Sequence, residues 1–429
     1  MTAPLTVTVI GDCTVDLDTR REGSGWVSRL RDLLMITERE RAVTVVDATE
    51  AGTTVHRLRE RWCDDVLLCA PDVVLVHIGI SDAWGMAEAN NAYAKDPAAL
   101  TAVLEELLVR AAARIPGTRI ILLDPILNAI GRSPMRMGPV AEMLATYVPA
   151  LRALATRRGL EWFAAGSLVT SAKQLRNSDE YLGCDPLGLD TDGCLLLAQG
   201  AADCIRASTT PGTVLQDGQR LLLIGDSITD SGRRSPGQRP MGSGYARLFQ
   251  GLQAARSPAR TVQMINKGIG GDTIIDIESR WERDVTPYRP DWLLLYTGIN
   301  DMNSIYGSRP VKLLPPAYGA GLERVLSRAR ALNPQLQLVL LAPFFLSRDD
   351  HPDSYRCEML TRMPAYSAEV SRVARQFQAR FLDLQVVMQA AMQRFGNRAL
   401  GSHIGQDLVH PGELGSLVIA DALAQTLRD

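Results

Sequence analysis

Ser227 closes the turn sequence Gly225-Asp226-Ser227 after the apolar run Leu221-Leu222-Leu223-Ile224. A serine hydroxyl is a weak nucleophile until a neighbouring base takes its proton. The chain has five histidines, His56, His77, His351, His403 and His410. His410 is the candidate base because Asp407 precedes it by three residues, with His403 and His351 as formal rivals in the same half. A carboxylate at that spacing can reach the second ring nitrogen from the same loop or helical turn and fix one tautomer. A tetrahedral intermediate at Ser227 would also need donors for its oxyanion. Three candidates are the Ser227 N–H, the N–H of Gly270 in the stretch Asn266-Lys267-Gly268-Ile269-Gly270-Gly271, and the side-chain amide of Asn300. Glycine brings backbone close to a substrate without a Cβ, and an asparagine amide carries two N–H donors. Asp226 reads as a structural acceptor within the turn. Arg233 and Arg234 read either as solvated or as contacts for a polar substrate.

The same landmarks occur earlier in the chain with their chemistry changed. Gly11-Asp12-Cys13 returns as Gly225-Asp226-Ser227, 214 residues later, and Gly52-Thr53-Thr54 returns as Gly271-Asp272-Thr273 after 219. His77-Ile78-Gly79-Ile80-Ser81-Asp82 returns as Tyr296-Thr297-Gly298-Ile299-Asn300-Asp301, again after 219, and Asp190 to Gly193 returns as Asp407 to His410 after 217. Four landmarks in register mark an internal duplication. In the first copy Cys13 replaces the serine, Ala51 falls where Gly270 stands, Ser81 replaces Asn300 and Gly193 replaces His410, while Asp190 is kept. A cysteine can be an excellent nucleophile, but the lost base and lost asparagine are harder to replace. The first half is therefore expected to be a degenerate, non-catalytic copy. It would stabilise the second half, shape substrate access or hold a ligand. His77 is expected in or near the core, with a Cys13–His77 pair as the minor alternative.

Positioning these residues requires short parallel strands that end at the landmarks. Apolar runs at 5–10, 42–46, 73–78 and 119–123 in the first half, and at 221–224, 261–265, 292–296 and 337–342 in the second, show little alternation and fit strands buried on both faces. Helical stretches at 98–113, 140–157, 318–330 and 364–379 lie between strands, which points to an α/β sandwich in each half. Open parallel sheets carry function at the carboxyl ends of their strands. The polar, turn-forming stretch 207–220 places the boundary, giving domains at 1–208 and 209–429.

The second set of blocks resembles the SGNH, or GDSL, hydrolase family, named for its catalytic Ser, Gly, Asn and His. Its Gly-Asp-Ser block is similar to 225–227, its glycine block to Gly270, its Gly-x-Asn block to 298–300 and its Asp-x-x-His block to 407–410. The opening Gly-Asp-Ser-Ile-Thr-Asp-Ser-Gly-Arg is most similar to the bacterial branch that includes carbohydrate acetylesterases. The resemblance implies two tandem flavodoxin-like, three-layer α/β/α domains with parallel sheets. It also implies Ser227 as nucleophile and first oxyanion donor, Asp407 and His410 as its partners, and Gly270 and Asn300 as further oxyanion donors. A serine-dependent ester hydrolase, removing a short acyl group from a sugar or small metabolite, is the expected activity. An acyltransferase using the same acyl-enzyme and a non-catalytic binding protein are the alternatives.

Composition adds exclusions. A net charge of -2 gives no whole-protein pull toward nucleic acid or an anionic membrane. No run approaches the 18 or so apolar residues of a membrane span, and the N-terminal apolar run has no basic region before it. Seven cysteines without a close Cys-x-x-Cys pair support neither a disulfide framework nor structural zinc, and fit a reducing cytoplasm. No metal constellation or phosphate loop is present in the sequence, and the chemistry needs no cofactor. The expected partner is a small acyl ester, with oligomerisation left open. Ala342 to Leu346 is expected to wall the acyl pocket, and 304–316 and 346–363 are expected as substrate loops. The second of these carries Arg348, Asp349, Asp350, His351 and Arg356, which suits a polar alcohol. In the first half, 84–93 and 132–138 are expected as lid segments.

Overall fold

The apolar runs at 73–77 and 292–296 are buried along their whole length and must be covered on both faces, while the edge runs at 43–50 and 263–266 are partly exposed, against the expectation of burial on both faces. The computed structural model describes residues 3–12, 25–87, 96–127, 134–176, 191–207, 213–236, 239–257, 260–306, 311–402 and 407–428. The chain divides into two compact units, Met1–Thr210 and Pro211–Asp429.

The first unit contains strands β1 (Leu5–Asp12), β2 (Val43–Glu50), β3 (Val73–His77), β4 (Arg119–Leu123) and β5 (Glu161–Phe163). Its principal helices are α1 (Trp26–Thr37), α2 (Val55–Trp62), α3 (Ile80–Ala87), α4 (Pro97–Arg114), α5 (Pro134–Arg158), α6 (Ala165–Arg176) and α7 (Thr191–Arg206). The second unit contains β6 (Arg220–Gly225), β7 (Gln263–Asn266), β8 (Trp292–Tyr296), β9 (Gln337–Ala342) and β10 (Arg380–Asp383). Its principal helices are α8 (Ser227–Asp230), α9 (Tyr245–Arg256), α10 (Ile274–Ser279), α11 (Ile299–Asn303), α12 (Pro315–Leu332), α13 (Tyr355–Gln376), α14 (Leu384–Phe395) and α15 (Glu413–Thr426).

The two sheets have the same topology. Their strand orders are β2-β1-β3-β4-β5 and, read in the matching direction, β7-β6-β8-β9-β10. All pairs are parallel. This is the flavodoxin-like order, whose ligand crevice opens where the chain reverses direction, between the first and third strands. The registers match as well: Gly11 pairs with His77 as Gly225 pairs with Tyr296.

Alternate residues of each strand supply the two faces. In the second unit Leu222, Ile224, Leu293, Leu295, Leu338 and Leu340 pack with residues of α10, α12 and α13. Helices α9, α14 and α15 form another packed group. In the first unit Ile10, Val74, Val76, Ile120 and Leu122 pack with residues of α2, α4 and α5, while α1 packs on α7. Each unit is thus a three-layer α/β/α sandwich.

Several boundaries depart from expectation. Each sheet has a fifth strand, β5 or β10, that is three or four residues long and too short to show a pattern. Helix α13 begins at Tyr355, nine residues before the expected 364. Ser354 caps it by accepting the Arg356 N–H, and Pro364 sits inside it. The expected loop 346–363 therefore shrinks to 346–354. Phe344 and Phe345 are buried, with Phe344 stacked on Tyr296 at 6.4 Å. They belong to the core instead of walling an open acyl pocket. Of the expected lids, residues 88–93 and 132–133 lie outside the described residues. No described helix is long and apolar enough to cross a membrane.

Candidate active site

The strand β6 delivers Ser227 to the crevice. Gly225 ends the strand against Tyr296, where a Cβ would meet the Tyr296 carbonyl oxygen at 2.5 Å. Asp226 then turns the chain into α8, its Oδ1 accepting the Ile228 N–H at 2.9 Å. It has the structural role expected of it, and Ser227 opens the helical turn.

His410 meets Ser227 across 183 residues of sequence, with Nε2 2.8 Å from the hydroxyl oxygen. Its Nδ1 lies 2.7 Å from Asp407 Oδ2. An ionised carboxylate only accepts, so Nδ1 carries the ring proton and Nε2 is left to receive one from Ser227. Asp407 is held in turn by the N–H groups of Val409 and His410, each 2.9 Å from Oδ1. Burial alone would raise the Asp407 carboxyl, but the hydrogen bonds from His410 and Val409 outweigh it and hold the group below its ordinary value. The side chains of His410 and Asp407 are 43% and 31% exposed, so water reaches the base. Of the rivals, His351 lies in an exposed segment, and His403 lies outside the described residues.

Asn300 sits at the start of α11. Gly298 before it has φ +130°, a backbone conformation that favours glycine. The Asn300 Nδ2 donates one hydrogen to the Asp272 carbonyl oxygen at 3.1 Å, which orients the amide and leaves a second hydrogen. Asp301 anchors the same turn, its Oδ1 accepting the Ile274 N–H at 2.8 Å and its Oδ2 accepting from Thr297 at 2.8 Å.

Gly270 lies beside Ser227, since a Cβ on it would stand 3.7 Å from that of Ser227. Its N–H, however, donates to Asp230 Oδ2 at 3.2 Å. The expectation of a free third donor is corrected to this extent: the glycine is in place, but its N–H is held by a carboxylate. Arg233 donates to the Gly268 carbonyl oxygen through Nε at 3.1 Å and Nη2 at 2.6 Å. It braces the glycine loop, while Arg234 is exposed.

Arg280 is a residue that motif spacing did not single out. It is buried, and it donates to Asp272 Oδ2 at 2.6 Å, the Lys267 carbonyl at 2.8 Å, Asp284 Oδ2 at 3.1 Å and the Gly225 carbonyl at 3.2 Å. One guanidinium therefore ties the serine turn to the loop that orients Asn300. Nothing local in sequence marks it, because its partners are 4, 8, 13 and 55 residues away.

Asp226 is fully buried, and its Oδ2 has no hydrogen-bond partner among the described residues. Burial, helped by the nearby Asp301 and Asp272, pushes its pKa from 3.8 to about 8. Across that window the folded state holds a proton that the unfolded chain has released, so stability falls as pH rises. Asp226→Asn keeps the acceptor for Ile228 and removes the ionisation. Urea melts should show the wild type losing up to about 4 kcal/mol more than this variant between pH 5 and pH 8. Parallel losses in the two proteins would refute the buried-acid account.

The corresponding place in the first unit is arranged differently. Asp12 turns its carboxylate onto the Gly52 N–H at 3.2 Å and the Ser81 N–H at 3.0 Å. His77 is fully buried, its Nδ1 3.1 Å from the Asp12 carbonyl oxygen, and burial pushes its pKa down. It is a core histidine. Ala51 is on the exposed turn after β2, Ser81 is in the first turn of α3 and Gly193 is in the first turn of α7. Cys13 and Asp190 lie outside the described residues. Val55 N–H donates to Asp82 Oδ1 at 3.0 Å, as Ile274 does to Asp301, so the structural clamp survives in both copies.

A hydroxyl, an imidazole and a carboxylate in line at the carboxyl ends of a parallel α/β sheet describe a hydrolytic enzyme. The model of the GDSL-like lipase/acylhydrolase family matches the chain twice, over residues 9–186 and 223–417, and the chain belongs to that family. It is 30% identical over 217 residues to an acetylxylan esterase of Geobacillus stearothermophilus, covering 49% of this chain and 94% of that protein. A crystal structure of the Geobacillus stearothermophilus acetylxylan esterase aligns with TM-score 0.44 and 30% identity, over 49% of this chain and 95% of that one. An α/β hydrolase from the metagenome of Lake Arreo, Spain, aligns with TM-score 0.45 and 28% identity, over 50% and 98%.

Proposed function

We propose that the second unit is a serine-dependent carboxylic ester hydrolase that removes a short acyl group, acetyl foremost, from a polar sugar or small metabolite. The Asp407–His410–Ser227 line, at 2.7 Å and 2.8 Å, carries this reading. Ser227 Oγ attacks the ester carbonyl carbon and passes its proton to His410 Nε2. The oxyanion is received by the Ser227 N–H and the free hydrogen of Asn300 Nδ2, and by Gly270 once its N–H turns from Asp230. The C–O bond to the alcohol breaks as His410 returns the proton, leaving acyl-Ser227. Water, activated by the same imidazole, then releases the acid. The exposure of His410 favours water over a sequestered acceptor, and so hydrolysis over acyl transfer. The acetylxylan esterase relative supports acetyl as the acyl group.

The first unit is read as non-catalytic. Its Asp12 carboxylate takes the N–H groups of Gly52 and Ser81, and its histidine, His77, is buried against the Asp12 carbonyl instead of facing a nucleophile. A cytoplasmic location remains part of the proposal, on the pattern of cysteine use.

The test is a series of p-nitrophenyl esters from acetyl to dodecanoyl. kcat/KM should be highest for acetyl and at least about tenfold lower for octanoyl, since a single methylene that a pocket cannot house can cost that much. A profile that is flat or rises with length would contradict a short-acyl enzyme. Acyl transfer to an added alcohol outrunning hydrolysis would move the assignment to a transferase.

A further inference from the structure

Beyond the reacting groups, two half-exposed aromatic rings stand at the same end of the second sheet. Asn300 and Asn303 are three residues apart on α11 and therefore share a face, about 5 Å apart along the helix axis. The Tyr355 hydroxyl donates to Asn303 Oδ1 at 2.5 Å. The Tyr355 ring meets Phe345 edge-on at 6.4 Å. The next residue, Leu346, donates its N–H to the Leu408 carbonyl at 2.8 Å, two residues before His410. Tyr355 thus touches the helix that carries Asn300 and, through Phe345 and Leu346, is linked to the loop that carries His410.

Tyr306 packs edge-on against Tyr355 at 5.4 Å. Arg362 donates to its hydroxyl at 2.9 Å, has its guanidinium 5.8 Å from the ring centroid, and is paired with Glu358 at 2.7 Å. The rings are 48% and 40% exposed for Tyr355 and Tyr306, yet each is fixed by its hydroxyl and its neighbour. Surface aromatics held in one orientation lose little entropy on binding.

The alcohol part of an ester at Ser227 must lie toward His410, which returns the proton to it. A ligand for two fixed rings with Asn303, Glu358 and Arg362 around them has an apolar face and a rim of hydroxyls. A pyranose ring has that shape, with C–H groups on its faces and hydroxyls at its edge. We infer that Tyr355 and Tyr306 form the alcohol-side subsite, in which the pyranose ring of an acetylated glycoside stacks on one ring and meets the other, set at 79° to it, edge-on. This rests on the reading of Ser227 as the nucleophile.

Binding and turnover separate the two ideas. In Ser227→Ala, saturation-transfer NMR with acetylated methyl β-xylopyranoside should show transfer to the ring protons. Adding Tyr355→Ala should weaken the apparent Kd about tenfold, one stacking contact's worth. In the active enzyme, Tyr355→Ala and Tyr306→Ala should raise KM for that glycoside about as much, and their loss in kcat/KM should be at least about fivefold larger on the glycoside than on ethyl acetate. Sugar binding unchanged by Tyr355→Ala, or absent from the Ser227→Ala parent, overturns the subsite. So does an equal loss on ethyl acetate and on the glycoside. Failure of wild type to cleave either ester, with sugar binding to the rings intact, overturns the nucleophile reading and leaves the subsite standing.

Discussion

Ser227→Ala is expected to lower kcat/KM on p-nitrophenyl acetate by on the order of 10⁴ to 10⁶-fold and to abolish covalent acylation. Among the described residues, Ser227 is the one whose hydroxyl meets His410 Nε2, at 2.8 Å. An alanine leaves the oxyanion donors and the base but removes the atom that attacks. The substitution should leave stability nearly unchanged, because Ser227 is only partly buried and no core packing depends on its hydroxyl. Steady-state kinetics, with circular dichroism as the control for folding, measure it. Activity within tenfold of wild type would remove Ser227 from the mechanism and return attention to Cys13.

His410→Ala should cost a similar factor in kcat, with KM changed little, because the imidazole acts on the transition state more than on bound ester. The double variant Ser227→Ala/His410→Ala should be no slower than the worse of the single variants. Residues that act as one unit lose their joint effect with the first removal. Multiplying losses would mean that the two residues act independently, which the 2.8 Å contact and the Asp407 bracing argue against.

The fold was legible because β-sheet cores in a doubly wound protein are written as short apolar runs, and here they were written twice. Ser227, Asn300, Asp407 and His410 were legible because their chemistry demands particular residue types at strand ends; the structure joins Ser227, His410 and Asp407 by hydrogen bonds and ties Asn300 to the Asp272 carbonyl. Arg280 was not, since a buried arginine whose acceptors include three carbonyl or carboxylate groups outside its own helical turn has no pattern along the chain. The contact from the Gly270 N–H to Asp230 was hidden for a related reason: backbone direction in a glycine loop depends on neighbours 40 residues away. Strand β10, Arg380–Asp383, has only two apolar residues, Phe381 and Leu382, too few to show a pattern, and pairs along the free edge of β9. Pro364 hid the first nine residues of α13, which places Tyr355 at a helix start and not in a loop.

The duplication sets two versions of one crevice side by side. The two units keep the same sheet order, the same strand register and the same aspartate clamp at Asp82 and Asp301. They differ in what faces the crevice. In one, a serine hydroxyl meets an imidazole. In the other, the Asp12 carboxylate accepts the N–H groups of Gly52 and Ser81, and the buried His77 meets the Asp12 carbonyl.

The most direct test of the account is the site of acylation during turnover. Wild-type protein quenched in acid during hydrolysis of p-nitrophenyl acetate should carry one acetyl group on the peptide containing Ser227, and Ser227→Ala should carry none. Acetyl on a peptide of the first unit, or turnover with no acyl-enzyme under conditions where deacylation is slow, would contradict it.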